Sequence, residues 1–124
     1  MKRVILSVVA VAALAGTAVI LHAQDPVKVD AKHYKVEFEN DQVRVLRIHY
    51  APGEKSVMHS HPDSVAVFLA DQTGKFTYPD GKSEDVTMKT GEAKFTPAGV
   101  HLPENTGKGP LDLILVELKK PSAK

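Results

Sequence analysis

The 124-residue sequence predicts an all-β fold, either a sandwich or a small barrel, and three observations lead to that prediction. Several short segments alternate apolar and polar residues with a period of two, the pattern of a half-buried strand. Turn residues, including eight Gly and eight Pro, separate these segments along the chain. No segment has the periodicity of an amphipathic helix. We therefore expect about seven to nine short strands in a single domain.

Alternating polarity, apolar content and flanking turn residues predict the individual strands. Leu46, Ile48 and Tyr50 share one face of the second strand, because alternate residues of a strand point to the same side. The sequence Pro79-Asp80-Gly81 predicts a tight turn. The predicted strands comprise or include Tyr34–Glu39, Val43–Tyr50, Val57–His61, Ser64–Ala70, Phe76–Tyr78, Val86–Met88, Phe95 and Leu111–Leu118.

The N-terminus has the pattern of an export signal. Lys2 and Arg3 precede an uncharged apolar run, Val4–Leu21, and the chain becomes polar after Ala23. This order predicts a secretory signal peptide over residues 1–23, and hence a periplasmic or secreted protein. The alternative is an uncleaved membrane anchor, because the run is just long enough to cross a bilayer. Residues 24–35 are then expected to form a loose N-terminal lead-in, and residues 36–120 a single domain.

Composition excludes several classes of function. The formal net charge is +1, so no overall field favours nucleic acid or an anionic membrane, and we expect neither partner for the mature chain. The sequence has no cysteine, which excludes disulfides, thiolate metal sites and a cysteine nucleophile. It also lacks the Gly-x-Ser-x-Gly, phosphate-loop and dinucleotide motifs of hydrolases and nucleotide enzymes.

The histidines carry the strongest functional signal. His59 and His61 are two residues apart at the start of a predicted strand, so their rings point to the same face. They can converge on one metal ion if that face lines a cavity. The alternative is that both are ordinary hydrogen-bonding or exposed side chains, and the pair alone does not decide between the two interpretations.

Two glycine-anchored motifs resemble those of the cupin superfamily. Gly53 is followed by five residues, His59, one residue and His61. Gly91 is followed by five residues, then Pro97-Ala98-Gly99-Val100-His101, and Asn105 comes four positions after that histidine. The resemblance covers about residues 36–118. It implies a small double-stranded β-barrel of the jelly-roll type, in which His59, His61 and His101 meet around a metal.

The chain departs from the family's motifs at two places. The glutamate that usually follows the second histidine is replaced by Val65 and Ala66, so that carboxylate ligand is missing. One residue instead of two separates Gly99 from His101, and a one-residue slip within a strand would turn a side chain to the opposite face. Because the spacing from His101 to Asn105 is retained, we place the shortening in the preceding turn and expect His101 to point inward.

Three neutral imidazoles suit a divalent transition metal such as Fe, Cu, Zn, Ni or Mn. They leave the charge of that ion uncompensated, which favours a small organic anion as the ligand. The sequence thus predicts a metal-dependent, oxygenase-like enzyme, with a non-catalytic metal- or ligand-binding module as the alternative. No catalytic residue can be named, and the resemblance implies a homodimer.

Four further residues are candidates for a supporting role near the histidines. Glu104 follows His101 closely and could orient it, and the alternative is that it is a carboxylate on a surface loop. Asn105, the next residue, is a candidate for the pocket. His49 lies at the cavity mouth or faces solvent, depending on the strand register. Phe68 is expected in the core or the pocket wall.

Overall fold

A computed structural model describes residues 24–120, so the predicted signal peptide lies outside the described residues. Within residues 24–120, no helix is long and apolar enough to span a membrane. This part of the chain contains one short helix and nine strands: α1 (Pro26–Val29), β1 (Tyr34–Glu39), β2 (Val43–Tyr50), β3 (His59–His61), β4 (Ser64–Phe68), β5 (Gln72–Thr77), β6 (Ser83–Met88), β7 (Ala93–Thr96), β8 (Gly99–Asn105) and β9 (Leu111–Leu118).

The strands form two antiparallel sheets. The first has the order β1-β2-β9-β4-β7, and the second has the order β3-β8-β5-β6. Some neighbouring strands are distant in sequence, as in β2 beside β9 and β3 beside β8, whereas β1 and β2, and β5 and β6, are consecutive. The result is a barrel-like sandwich that is not fully closed. It confirms the all-β, jelly-roll prediction.

The core lies on the inward faces of β2, β4 and β9. Leu46, Ile48 and Tyr50 are all buried, so the predicted inward face of β2 is confirmed. Inward residues of β9 alternate with half-buried ones, which is the expected pattern for a strand packed on one face. The turn Pro79-Asp80-Gly81 is also confirmed, since Gly81 has a positive φ of 85°, a conformation that glycine adopts without strain.

The N-terminal lead-in is more ordered than the sequence indicates. Asp25 caps α1 by accepting a hydrogen bond from the backbone N–H of Val27. The Asp25 carboxylate also receives two hydrogen bonds from the guanidinium of Arg44, at 2.8 and 2.9 Å. His33 and Tyr34 are buried, and β1 begins at Tyr34. Residues 24–35 therefore differ from the expected loose segment, because an ion pair and two buried rings attach them to the sheet.

Candidate metal centre

The pairing of β3 with β8 gathers three histidines on one face. His59 and His61 are the two ends of β3, and both are buried. His59 lies directly opposite His101 in the antiparallel pair, and residues directly opposite share a face. Gly99, Val100 and His101 are the first three residues of β8, so the shortened spacing lies at the start of the strand and not, as expected, in the preceding turn. The expected inward orientation of His101 is nevertheless what the structure shows.

The three imidazoles form a compact triangle. One ring nitrogen from each of His59, His61 and His101 lies within 4.8 Å of the others. The ring centroids are 4.9 Å apart for His59 and His61, 4.9 Å for His59 and His101, and 5.3 Å for His61 and His101. The rings are close to perpendicular to one another. Their nitrogens therefore converge on a shared point without ring stacking.

Each histidine is oriented by a different neighbour. Nδ1 of His61 lies 2.7 Å from a carboxylate oxygen of Glu117. Nδ1 of His59 lies 2.8 Å from the backbone carbonyl oxygen of Val57. His101 stacks on the ring of Phe76, with centroids 4.9 Å apart and planes 3° from parallel. Contacts of this kind behind a histidine fix its tautomer and ring orientation for metal binding.

Burial keeps two of the rings neutral. Desolvation, followed by the neighbouring His61, lowers the pKa of His59 to about 4. Desolvation, His61 and His59 together lower the pKa of His101 to about 3. Both imidazoles are thus unprotonated at neutral pH, which is the form that binds a metal.

Glu117 is a buried carboxylate that the sequence analysis did not identify. Its side chain accepts hydrogen bonds from His61 and, at 2.6 Å, from Nε of Arg44. Burial raises the pKa of Glu117, but these bonds from His61 and Arg44 outweigh it and lower the pKa below its ordinary value. An ionised carboxylate therefore lies one imidazole away from the metal position. The sequence predicted that no negative charge would offset that of the metal ion. This prediction is corrected, because the carboxylate of Glu117 lies behind His61.

Tyr34 is the second residue that the sequence analysis missed. Its hydroxyl lies 3.1 Å from Nε2 of His59 and 2.6 Å from the hydroxyl of Tyr50. Both tyrosines are buried. Desolvation and the neighbouring Tyr50 raise the pKa of Tyr34 well above its ordinary value, so the hydroxyl keeps its proton in the metal-free protein.

The histidine cluster fits a transition metal. Nε2 of His101 is buried and has no hydrogen-bond partner among residues 24–120. A buried polar atom without a partner costs about 1–3 kcal/mol, and coordination of an ion removes that cost. Three nitrogen donors are characteristic of sites for Fe, Cu, Zn or Ni. The donor set and the unpaired nitrogen both match such an ion.

A cavity of about 520 Å³ adjoins the histidines, a volume in the usual range for small-molecule sites. His61 and His101 line it together with aromatic and aliphatic side chains, including Phe68 and Phe76. Lys94 is the only lysine or arginine among the described residues that line the cavity, and none of them is an aspartate or glutamate. The site is therefore an apolar chamber with imidazole nitrogens in its wall.

Two of the four proposed supporting residues lie away from the histidines. The side chain of His49 is 59% exposed and lies 3.8 Å from Asp112, so it faces solvent and not the cavity. Glu104 does not line the cavity and is paired with Lys75 across β5 and β8. Neither residue supports the histidines. The strand register, which the sequence did not determine, turns both side chains away.

Asn105 and Phe68 have clear structural positions. The buried amide of Asn105 donates to the carbonyls of Tyr50 and Gly109 and accepts from the N–H of Gly107. It thus holds a loop and a strand end. Phe68 is buried and lines the cavity, in agreement with its expected place in the core and pocket wall.

Comparison with known proteins supports the fold. The family described as Cupin domain matches residues 46–117. A cupin domain from Bordetella pertussis Tohama I is 24% identical with a TM-score of 0.65, over 70% of this chain and 92% of the other. An RmlC-like cupin from Methanocaldococcus jannaschii, described as a double-stranded β-helix, is 23% identical with a TM-score of 0.53, over 72% and 83%.

A protein from Bacillus halodurans is 22% identical with a TM-score of 0.56, over 73% of each chain. No curated protein matches the sequence. At these identities the structural neighbours support the fold alone. The family match spans more than half of the sequence and includes all three clustered histidines. The chain therefore belongs to the cupin superfamily.

Proposed function

We propose that this protein binds a divalent transition metal through His59, His61 and His101 and acts on a small organic anion in an oxygenase-like reaction. The observation that carries the proposal is the convergence of three ring nitrogens within 4.8 Å. Two of the three histidines, His61 and His101, also line a cavity large enough for a small molecule.

A bound ion supplies Lewis acidity or, if it is iron or copper, redox chemistry. The chain supplies the rest of the site. Glu117 holds the ring of His61 through a 2.7 Å hydrogen bond, and Phe76 fixes the plane of His101 by stacking. Hydrogen bonding of Nδ1 of His59 to a backbone carbonyl puts the ring proton on Nδ1 and leaves the lone pair on Nε2 as the donor to a metal. Rigid donors reduce the reorganisation needed when the ion binds.

The cavity supports a ligand that is mainly apolar and carries one negative group. Aromatic and aliphatic side chains form most of the cavity wall. Lys94 is the one lysine or arginine among the described residues of that wall, and it carries a positive charge. The ion itself adds positive charge beside His61 and His101. A carboxylate, enolate or catecholate on a small hydrophobic body satisfies both features.

The alternative function is a non-catalytic module that holds a metal or small ligand. The absence of the motif glutamate favours it, because Ala66 lies in the cavity wall near the position of that ligand. We further propose that the protein is exported, on the basis of the signal-like residues 1–23. A homodimer is proposed from the family resemblance.

Metal content tests the first part of the proposal. Protein purified without a histidine tag is analysed for bound elements, alongside a His59→Ala, His61→Ala double variant. The matched control is His49→Ala, which removes a histidine that is 59% exposed and outside the cavity. We expect nearly one equivalent of a transition metal in the wild type and the control, and little in the double variant. Equal metal content in all three would refute histidine ligation at this site.

Oxygen uptake separates the enzyme from the binding module. The fully metallated protein is assayed with a panel of diketones, thiols and flavonols, which combine apolar bodies with anionic donor groups. We expect uptake with at least one compound, abolished in the double variant and retained in His49→Ala. Binding of panel compounds without turnover in the metallated protein would favour the non-catalytic module.

A further inference from the structure

Tyr34 lies beside two histidines of the candidate metal centre. Its side chain is 2% exposed, and its hydroxyl oxygen is 3.1 Å from Nε2 of His59. The ring of Tyr34 is also close to both histidines of β3, with centroid distances of 4.9 Å to His59 and 5.8 Å to His61. Tyr34 therefore reaches the cluster from β1, a strand that precedes the residues matched by the cupin family.

The hydrogen bonds define where the protons are. Nδ1 of His59 faces the carbonyl oxygen of Val57, which can only accept, so Nδ1 carries the proton. Nε2 of the neutral ring is then an acceptor, and the hydroxyl of Tyr34 donates to it. Because that hydroxyl has one proton, the hydroxyl of Tyr50 donates to Tyr34 at 2.6 Å. The two hydrogen bonds, from Tyr50 to Tyr34 and from Tyr34 to His59, thus end at the lone pair of Nε2 of His59. A metal ion would bind that same lone pair.

An ion bound to Nε2 of His59 takes away the acceptor of Tyr34. Metal–nitrogen bonds to histidine are about 2.0–2.1 Å long and the usual geometry is tetrahedral, so two donor atoms of one ion lie roughly 3 Å apart. The 3.1 Å between Nε2 of His59 and the Tyr34 oxygen matches that separation. If the hydroxyl of Tyr34 kept its proton in the same orientation, the positive end of the O–H dipole would face the bound cation. That arrangement is unfavourable in a buried site.

We propose that the phenolate oxygen of Tyr34 is the fourth protein ligand of the metal centre, a claim that rests on the proposed metal binding. When the ion binds, the O–H bond of Tyr34 breaks, the oxygen keeps the electron pair and bonds the ion, and the proton passes to solvent. No change of oxidation state is involved. Tyrosinate is a known ligand of haem iron in proteins.

This assignment supplies the negative charge that the missing glutamate would have provided. Val65 and Ala66 replace that residue, and the oxygens of Glu117 are already bonded to His61 and Arg44. Tyr34 has a hydrogen bond directly to a ligand nitrogen and is held in place by Tyr50. Three nitrogens and one oxyanion would then surround the ion.

Absorption spectroscopy tests the assignment with Fe³⁺ and Cu²⁺ as probes, because tyrosinate bound to either ion gives a visible charge-transfer band. The chain has three tyrosines, so Tyr34→Phe, Tyr50→Phe and Tyr78→Phe assign the band completely. Each variant keeps the ring and removes only the hydroxyl. Metal affinity is measured in parallel by competition with a chelator, and folding by circular dichroism.

We expect the band in the wild type and in Tyr78→Phe, a shifted band in Tyr50→Phe because Tyr50 bonds the same oxygen, and its loss in Tyr34→Phe. We also expect Tyr34→Phe to bind the probe at least about tenfold more weakly, the smallest loss usual for groups that support a metal. A wild type that binds the probe without the band overturns the assignment, as does a band that survives in Tyr34→Phe. A wild type that binds no probe overturns the metal site itself, so the two failures are distinguishable.

Discussion

Glu117 and His61 are joined by a buried hydrogen bond of 2.7 Å that links the candidate metal centre to a line of alternating charges. Arg44 bonds the same carboxylate at 2.6 Å and also holds Asp25 through two hydrogen bonds. Asp25 caps the N-terminal helix α1. The segment before the first strand is thus connected to a histidine of the site through two ion pairs.

This relationship predicts that Glu117→Gln weakens metal binding. The amide keeps the shape of the side chain but removes the negative charge behind His61, so the imidazole becomes a poorer donor. We expect the affinity to fall by about 10- to 100-fold, as is usual for groups behind a metal ligand. Isothermal titration calorimetry of the metal-free protein, with the metal that is found in the purified wild type, measures the affinity. Glu104→Gln removes a similar charge away from the cavity and should leave the affinity unchanged; equal losses in both variants would contradict the role of Glu117.

Metal removal is expected to lower thermal stability. An ion that binds only the folded state at 100 times its dissociation constant adds about 2.7 kcal/mol, which raises Tm by roughly 10–20 °C in a domain of this size. Scanning calorimetry before and after chelation measures the change. The shift should persist in His49→Ala and vanish in the His59→Ala, His61→Ala double variant. A shift of the same size in the double variant would place the ion elsewhere.

Asn105→Ala should destabilise the fold without weakening metal binding. The variant leaves the carbonyls of Tyr50 and Gly109 and the N–H of Gly107 without their partner. We expect a loss of roughly 2–4 kcal/mol in urea unfolding, because Asn105 is buried and its partners lose their hydrogen bonds. Asn40→Ala also removes two hydrogen bonds to the backbone, but at an exposed turn where water replaces them, and should cost under about 1 kcal/mol. Similar losses would contradict this account.

The metal-free protein should lose stability as the pH falls from about 6.5 towards 4. The pKa of His59 is lowered to about 4 and that of His101 to about 3 in the folded state, both from 6.5. The unfolded chain therefore binds more protons than the folded one across this window, so protonation favours unfolding. Each such proton contributes at most about 1.4 kcal/mol per pH unit.

Urea unfolding at pH 7, 6, 5 and 4 in the presence of a chelator measures this dependence. His101→Phe removes one of the two groups and keeps a ring that can stack on Phe76. Its stability should fall less steeply between pH 6.5 and 4.5 than that of the wild type. Identical slopes would show that the buried histidines do not account for the dependence.

The bounds of β1, β2 and β9 agree with the sequence prediction. For β2 and β9 the reason is burial of one face, which leaves a period of two in the sequence. In β1 only Tyr34 is buried, and the alternating Val36 and Phe38 are exposed. The pairing of His59 with His61 on one face follows from the same rule. Glu117 also had a signal, because it continues the inward row of Leu111, Leu113 and Leu115. A charged residue at such a position needs a buried partner.

The third histidine could be placed only through the family resemblance, because sequence spacing does not determine which strands pair. The register between β3 and β8 puts His101 opposite His59. Glu104 lies farther along β8, opposite Lys75 of β5, and does not line the cavity. Tyr34 gave no signal at all, since a tyrosine at the start of a strand is common in cores.

The sequence alone determined the alternation of the strands, the positions of the turns and the shared face of His59 and His61, because these depend on neighbours within a few residues. Tertiary structure alone decided that Tyr34, His101 and Glu117 surround that pair. Their positions depend on pairings between strands far apart in sequence, and many such pairings satisfy the same local pattern. Only the packing of both sheets around one core selects among them.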